Sequence, residues 1–270
     1  MQGRLSPLVA GRIQAFPWLW WQNEFALAEA EGFVVMEWTL DQEALHRNPL
    51  LTCEGQKKIR ALCQRHHVGI PSLTGDCFMQ APFWKASTGG RESVRRDFRT
   101  IVEAAAAVGI STIVVPLVDN GSIENSDQED ALVAFSETEG EFLGQHGVRI
   151  AFECDFSPTE LGRFIERLDP ARFGINYDIG NSAALGFNPQ DEIAAYGRRI
   201  LNVHVKDRAY GGNTVPLGKG NANFELVFTG LSECSYGGNF ILQTARARDG
   251  NHAEVLRRYR DMTLEWLTQL

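Results

Sequence analysis

The sequence predicts an α/β protein of the (β/α)8 TIM barrel class, built as a single domain over residues 1–270. One observation is a recurring unit: an amphipathic helical segment ends at or near a glycine, and a short β-branched or aromatic run follows. Glycine accepts the left-handed conformation that closes many helices, and a continuous apolar run is the mark of a strand buried on both faces. A second is the period, because the glycines at 32, 69, 109 and 147 lie 37 to 40 residues apart. Alternating helix and buried strand at that spacing means βα units on a parallel sheet. A third is the count of eight candidate strands in 270 residues, close to the ~250 typical of a closed barrel. A doubly wound sheet would more often show a glycine fingerprint after its first strand, and neither G-x-G-x-x-G nor G-x-x-x-x-G-K-[ST] occurs.

In chain order the expected strands are Gln2 to Leu5, Val34 to Trp38, Ile70 to Leu73, Thr112 to Pro116, Arg149 to Cys154, Phe173 to Asp178, Ile200 to Val205 and Phe240 to Gln243. The first is short for a barrel strand, which usually needs about five residues. Helices are expected over Trp21 to Glu31, Glu54 to His66, Glu92 to Ala107, Gln128 to Gln145, Pro158 to Leu168, Gln190 to Tyr196, Phe224 to Ser235 and Ala253 to Leu267. The acidic run Glu124 to Asp130 reads as a solvated loop entering the fourth helix.

Composition removes several classes of function. With 44% hydrophobic and 22% charged residues the chain buries a large core, so disorder is excluded. A net charge of −8 and no basic patch argue against nucleic acid as a partner. Five cysteines without a C-x-x-C pair suit a reducing cytoplasm rather than a disulfide framework or a zinc ribbon. The longest apolar stretch, Ala104 to Val118, is broken by Gly109, Ser111, Thr112 and Pro116, and no basic-then-apolar leader opens the chain, so no membrane association is expected.

In a barrel, catalytic groups sit where the strands end. The run Ala151-Phe152-Glu153 ends in a carboxylate, Asn176-Tyr177-Asp178 in another, Val203-His204-Val205 carries an imidazole, and Ile241-Leu242-Gln243 ends in an amide. A lone strand-end acid is commonly a helix cap, and a lone histidine a satisfied core residue. Four such groups on consecutive strands point instead to one divalent ion (Mn, Co, Mg, Zn or Fe) held by Glu153, Asp178, His204 and Gln243.

The segments Tyr177-Asp178-Ile179-Gly180-Asn181, Val203-His204-Val205-Lys206-Asp207 and Val215-Pro216-Leu217-Gly218-Lys219-Gly220 resemble the xylose isomerase-like sugar-phosphate isomerase and epimerase superfamily, nearest its L-ribulose-5-phosphate (L-xylulose-5-phosphate) 3-epimerase branch. The resemblance implies a metal bound by Glu153, Asp178 and His204, a small sugar or sugar phosphate as substrate, and a homodimer or homotetramer. It also implies a glutamate where Gln243 stands, because such epimerases place two carboxylate bases on opposite faces of a sugar carbon. A carboxamide donates an oxygen to a metal but has no useful basicity near neutral pH. The expectation is therefore a metal-dependent isomerase (or epimerase) acting on a ketose, sugar phosphate or acidic sugar through an enediolate, an isomerase or lyase being favoured over a two-base epimerase. Glu153 is the expected base, with Asp155 or Glu37 as candidates for a second acid or base. Inosose- or dehydroshikimate-type dehydration, and a sugar-binding barrel without turnover, stand as alternatives. Endonuclease IV-type barrels need more ligands than this chain offers, Asn181 standing where they carry a histidine.

Lys206, Arg208, Lys219, Arg246 and Arg248 follow the last two strands, where this fold frequently binds phosphate, so an anionic substrate is expected at Lys206, Arg208 and Arg246. Gly218-x-Gly220 offers backbone amides to the same group. Trp18 is a candidate platform for the apolar face of a sugar, and Glu37 a further substrate contact.

Overall fold

The computed structural model describes residues 1–86 and 90–268. Seven strands form one parallel sheet in sequence order: β1 (Val35–Leu40), β2 (Gly69–Gly75), β3 (Thr112–Leu117), β4 (Arg149–Cys154), β5 (Phe173–Asp178), β6 (Ile200–Val205) and β7 (Phe240–Leu242). The sheet curls into a nearly closed barrel. Around it run α1 (Asn23–Ala30), α2 (Cys53–His66), α3 (Asp76–Gln80), α4 (Arg91–Val108), α5 (Ser126–His146), α6 (Pro158–Glu166), α7 (Ile179–Leu185), α8 (Pro189–Tyr196), α9 (Phe224–Glu233) and α10 (His252–Thr268). Every residue of β3 and β5 is buried, because helices cover one face of each strand and the barrel interior the other; in β5 the inward face carries the polar Asn176 and Asp178.

The expected strand over Gln2 to Leu5 does not form. Gly3 takes a φ of +81°, outside the extended region, and a Cβ there would stand 2.8 Å from the Ala15 carbonyl oxygen. The segment nevertheless lies in the gap between β1 and β7. The Gln2 amide donates to the Glu37 carbonyl at 2.9 Å, and the Met1 nitrogen to the Leu242 carbonyl at 3.1 Å. Side chains complete the seam. Arg4 donates to the Thr244 carbonyl at 2.8 Å, and Arg246 reaches back to the carbonyls of Gly3 and Ser6. Buried Glu24 accepts from the amides of Gly3 at 2.6 Å and Ser6 at 3.0 Å.

Three of the four periodic glycines close helices as expected, Gly32 after α1, Gly109 after α4 and Gly147 after α5, all left-handed. Gly69 instead opens β2, and His67 takes the left-handed position after α2. The acidic run is mostly helical, not a loop: Asn125 caps α5 by accepting from the Gln128 amide, and Asp127 and Glu129 lie in the first turn, where negative charge meets the positive end of the helix. The short helices α3 and α7, not among the expected helices, begin directly where β2 and β5 end.

Candidate active site

A layer of buried polar side chains fills the barrel interior beneath the mouth. Strands alternate their side chains, so Asn176 and Asp178 of β5 point the same way, and the parallel register sets them beside Asn202 and His204 of β6. Glu37 of β1 is fully buried at the centre of this layer. Its Oε2 accepts from Ser72 Oγ at 2.7 Å and Asn202 Nδ2 at 3.0 Å. Its Oε1 accepts from Thr74 Oγ1 at 2.6 Å and lies 2.8 Å from His204 Nε2. Asn202 also donates to Asn176 Oδ1 at 2.8 Å, which turns the Asn176 amide nitrogen toward Glu153 Oε2 at 2.7 Å.

On this floor Glu153, Asp178 and His204 each present a ligand atom within 4.8 Å of the others. Asp178 is fixed by its cap on α7, accepting from the Asn181 amide at 2.8 Å, and Glu153 Oε1 accepts from Asn181 Nδ2 at 2.8 Å. With Nε2 donating to Glu37, the Nδ1 of His204 faces Glu153 Oε2 at 3.2 Å and Asp178 Oδ2 at 3.8 Å. The Asn176 amide nitrogen also lies 3.1 Å from this Nδ1, and a ring nitrogen converging with two carboxylate oxygens forms a mixed N and O donor set that fits a divalent metal. The Glu37 contact is the outer carboxylate that commonly orients a metal-ligating histidine.

The electrostatics agree. Burial pushes the Glu37 carboxyl up, but the His204 charge and the hydrogen bonds from His204, Thr74 and Ser72 prevail and hold its pKa down at about 2. Burial opposes ionisation of Asp178 too, yet the Lys206 ammonium and His204 bring its pKa to about 2. Burial lowers the pKa of His204, and the charge of Glu37 with hydrogen bonds to Asp178, Glu153 and Glu37 more than reverses this, raising it well above the ordinary histidine value.

Gln243 is on the same floor but does not meet the triad directly. The Lys206 ammonium stands between them, donating to Gln243 Oε1 at 2.8 Å, Asp178 Oδ2 at 3.2 Å and Asn181 Oδ1 at 3.1 Å. Above lies a cavity of about 630 Å³ lined by Glu153, Lys206, Arg208 and Gln243 together with Arg4, Gln14, Asp41 and Asp76. A second, apolar cavity of about 320 Å³ lies against the other ends of β1 and β7 and has no carboxylate in its lining.

Three expected substrate contacts lie off this cavity. Glu37 is sealed below the floor, because β1 runs on to Leu40 and leaves position 37 inside the barrel. Arg246 is committed to the seam. Trp18 packs edge-on against Phe16, ring centroids 4.8 Å apart, outside the lining. The positive rim is also corrected. Lys219, Arg246 and Arg248 are absent from the lining, Asp41, Asp76, Asp119, Glu153 and Asp155 are in it, and Arg208 is engaged by the Gly212 carbonyl and Asn181 Oδ1. The amides of Gly218 and Gly220, expected to cradle a phosphate, donate to buried Asp207 at 2.9 and 2.8 Å. Sequence reasoning passed over Asp76, Gln14 and Arg4. The strand-end rule finds Asp76 once β2 is known to extend to Gly75.

The family model described as xylose isomerase-like TIM barrel matches residues 25–265. An uncharacterised protein of Methanocaldococcus jannaschii, MJ1311, is 27% identical over 138 residues; the match spans 46% of this chain and about half (47%) of that protein. The putative L-ribulose-5-phosphate 3-epimerase SgbU of Escherichia coli K12 is 25% identical over 248 residues, 85% of this chain and 86% of that protein. Among solved structures, the IOLI protein with a bound zinc atom superposes with a TM-score of 0.76 at 16% identity, covering 92% of this chain and 93% of that one.

Proposed function

Since the chain belongs to the xylose isomerase-like TIM barrel family, we propose that it is a divalent-metal-dependent isomerase or epimerase of a ketose or related sugar, a one-domain cytoplasmic enzyme working through an enediolate. The observation that carries this reading is the convergence of Glu153, Asp178 and His204 within 4.8 Å, with Glu153 opening onto the cavity and Asp178 and His204 buried behind it. A divalent cation held by these three would polarise the substrate carbonyl and favour negative charge on its oxygen, and the Gln243 oxygen would join them only once Lys206 releases it.

The protein groups supply the rest. Glu153, as the catalytic base, removes the proton from the carbon next to the carbonyl; returning it to the neighbouring carbon on the same face completes an aldose–ketose exchange. Asn176 and Asn181 hold its two oxygens so that the carboxylate does not rotate. Lys206 offsets the negative charge of Asp178, its three N–H groups spent on Asp178, Asn181 and Gln243, and Arg208, in the cavity lining, keeps free guanidinium N–H groups for substrate hydroxyls. Five unpaired cysteines support the cytoplasmic reading, and no helix among the described residues is long and apolar enough to cross a membrane. Exposed Leu8, Trp18, Leu19 and Trp20 support assembly as a homo-oligomer.

The test is solvent exchange. With Mn²⁺ present, ketoses and ketose phosphates incubated in D₂O should take up deuterium next to the carbonyl, and Glu153→Gln should abolish the uptake. Binding of a sugar with no exchange in the parent would mark a binding barrel, and net loss of water a dehydratase.

A further inference from the structure

With an amide at position 243, the floor holds one strong base where inversion at a carbon needs two. We propose that Asp76 is the second acid–base residue of this cavity, working from a different wall than Glu153 to make the enzyme an epimerase. The inference rests on the sugar isomerase or epimerase reading above.

Asp76 follows β2 and Glu153 lies near the end of β4, with β3 between them, and both line the same cavity. Asp76 is the first residue of α3, yet Gly75 holds the cap position and no side chain caps that helix, so the carboxyl is free of the usual structural role of such an acid. The neighbouring acids are otherwise placed. Asp41 accepts from the Phe16 amide at 3.0 Å and Gln80 Nε2 at 3.1 Å, and Asp155 is exposed at the rim beside Ser122. Among the described residues Asp76 has no ion pair; its Oδ2 accepts from Gln14 Nε2 at 2.8 Å. Gln14 Oε1 in turn accepts from Gln243 Nε2 at 3.2 Å and from Arg4 at 3.1 Å. One glutamine thus separates Asp76 from the position where the resemblance expects a glutamate.

The charges that face Asp76 are Arg4 on the N-terminal segment, Asp41 after β1, Cys77 beside it, Glu153 on β4 and His204 on β6. Burial pushes its carboxyl up, Asp41 and Glu153 push the same way, and Gln14 and His204 only partly oppose them, leaving a pKa of about 7. A carboxyl divided between acid and base near neutral pH suits proton transfer.

The step balances with these two groups. Ionised Glu153 takes the proton from the carbon next to the carbonyl, and the C–H electron pair becomes the double bond of the enediolate. Neutral Asp76 gives its proton to the same carbon from the opposite side; the double-bond pair forms the new C–H bond and the carbonyl returns. Glu153 ends neutral and Asp76 ionised, the state that processes the opposite epimer, and exchange with water restores the first.

The experiment uses the Mn²⁺-loaded protein in D₂O with D-fructose, D-tagatose and L-ribulose 5-phosphate as probes, following both deuterium uptake and epimer formation. Asp76→Asn, whose Oδ1 still accepts from Gln14, should lower epimer formation by roughly 10²–10⁴-fold while Glu153-dependent uptake persists. It should also remove a limb near pH 7 from the rate profile, and Asp76→Glu should restore part of the rate. Epimer formation by Asp76→Asn within a few-fold of the parent overturns the assignment, and so does uptake by the parent without any epimer, which leaves the isomerase reading standing. A parent inert toward every probe overturns that reading and the role of Asp76 with it.

Discussion

Asp76 also makes a thermodynamic prediction that needs no substrate. An acid whose native pKa lies above its unfolded value costs nothing below the unfolded value, where both states are protonated. As pH rises from 3.8 toward about 7 the unfolded chain ionises first, the native state binds more protons, and stability falls. At 1.36 kcal/mol per pKa unit this interval sets a ceiling of about 4 kcal/mol. The carboxyl is partly open to the cavity, and solvent screening reduces the expected effect to about 2 kcal/mol. Asp76→Asn cannot ionise, so its stability relative to the parent should rise from near zero at pH 4 to about 2 kcal/mol at pH 8, or roughly 4–8 °C in Tm. Urea unfolding of both proteins with a chelator present, at pH 4.5, 6 and 8, measures the difference directly. An unchanging difference across that range would refute the perturbed carboxyl.

Glu37→Gln removes the charge that orients His204, so Mn²⁺ affinity measured by calorimetry should fall by roughly 10–100-fold; an unaltered Kd would dismiss Glu37 as a positioning residue. Gln243→Glu places a carboxylate against Lys206 and beside the triad, and should tighten Mn²⁺ binding about tenfold, or about 1.4 kcal/mol. Equal affinity would show that position 243 does not face the ion. At Gly55 a Cβ would lie 2.0 Å from the Pro49 carbonyl oxygen, so Gly55→Ala should cost about 2–3 kcal/mol in urea unfolding. A cost below about 0.5 kcal/mol would mean the 49–51 turn yields without strain.

The barrel was legible because its strands are buried on both faces. Thr112 to Pro116 is a nearly continuous apolar run, Phe173 to Asp178 keeps apolar Phe173, Ile175 and Tyr177 in alternation with the polar residues that enter the site, and both form within a residue of expectation. Glu153, Asp178 and His204 were legible for the same reason: where an apolar run stops on one residue, the strand end is well placed. Glu37 and Asp76 show the limit of that rule. The strands carrying them continue to Leu40 and Gly75, past the last obvious apolar residue, so Glu37 fell inside the barrel and Asp76 moved up to the mouth. Trp18 and Arg246 failed differently. Arg246 is drawn into the seam between the two ends of the chain, a pairing that no local pattern encodes, and Trp18 packs on Phe16 instead of over the cavity. The Lys206 ammonium between Asp178 and Gln243 was equally hidden, since sequence gives its strand but not where its four-carbon stem leads.

The seam has a consequence for synthesis on the ribosome. Arg4 finds its carbonyl partner 240 positions later, at Thr244, so the seam cannot close before nearly the whole chain is made, and until then the open edge of β1 is met only by Gln2. Such an edge is a template for pairing with other chains. Nascent chains stalled before residue 240 should therefore be cut readily by protease within residues 1–16 and captured by chaperones, and release of the full chain should end both. Protection of that segment in the stalled chains would show that it finds shelter without β7.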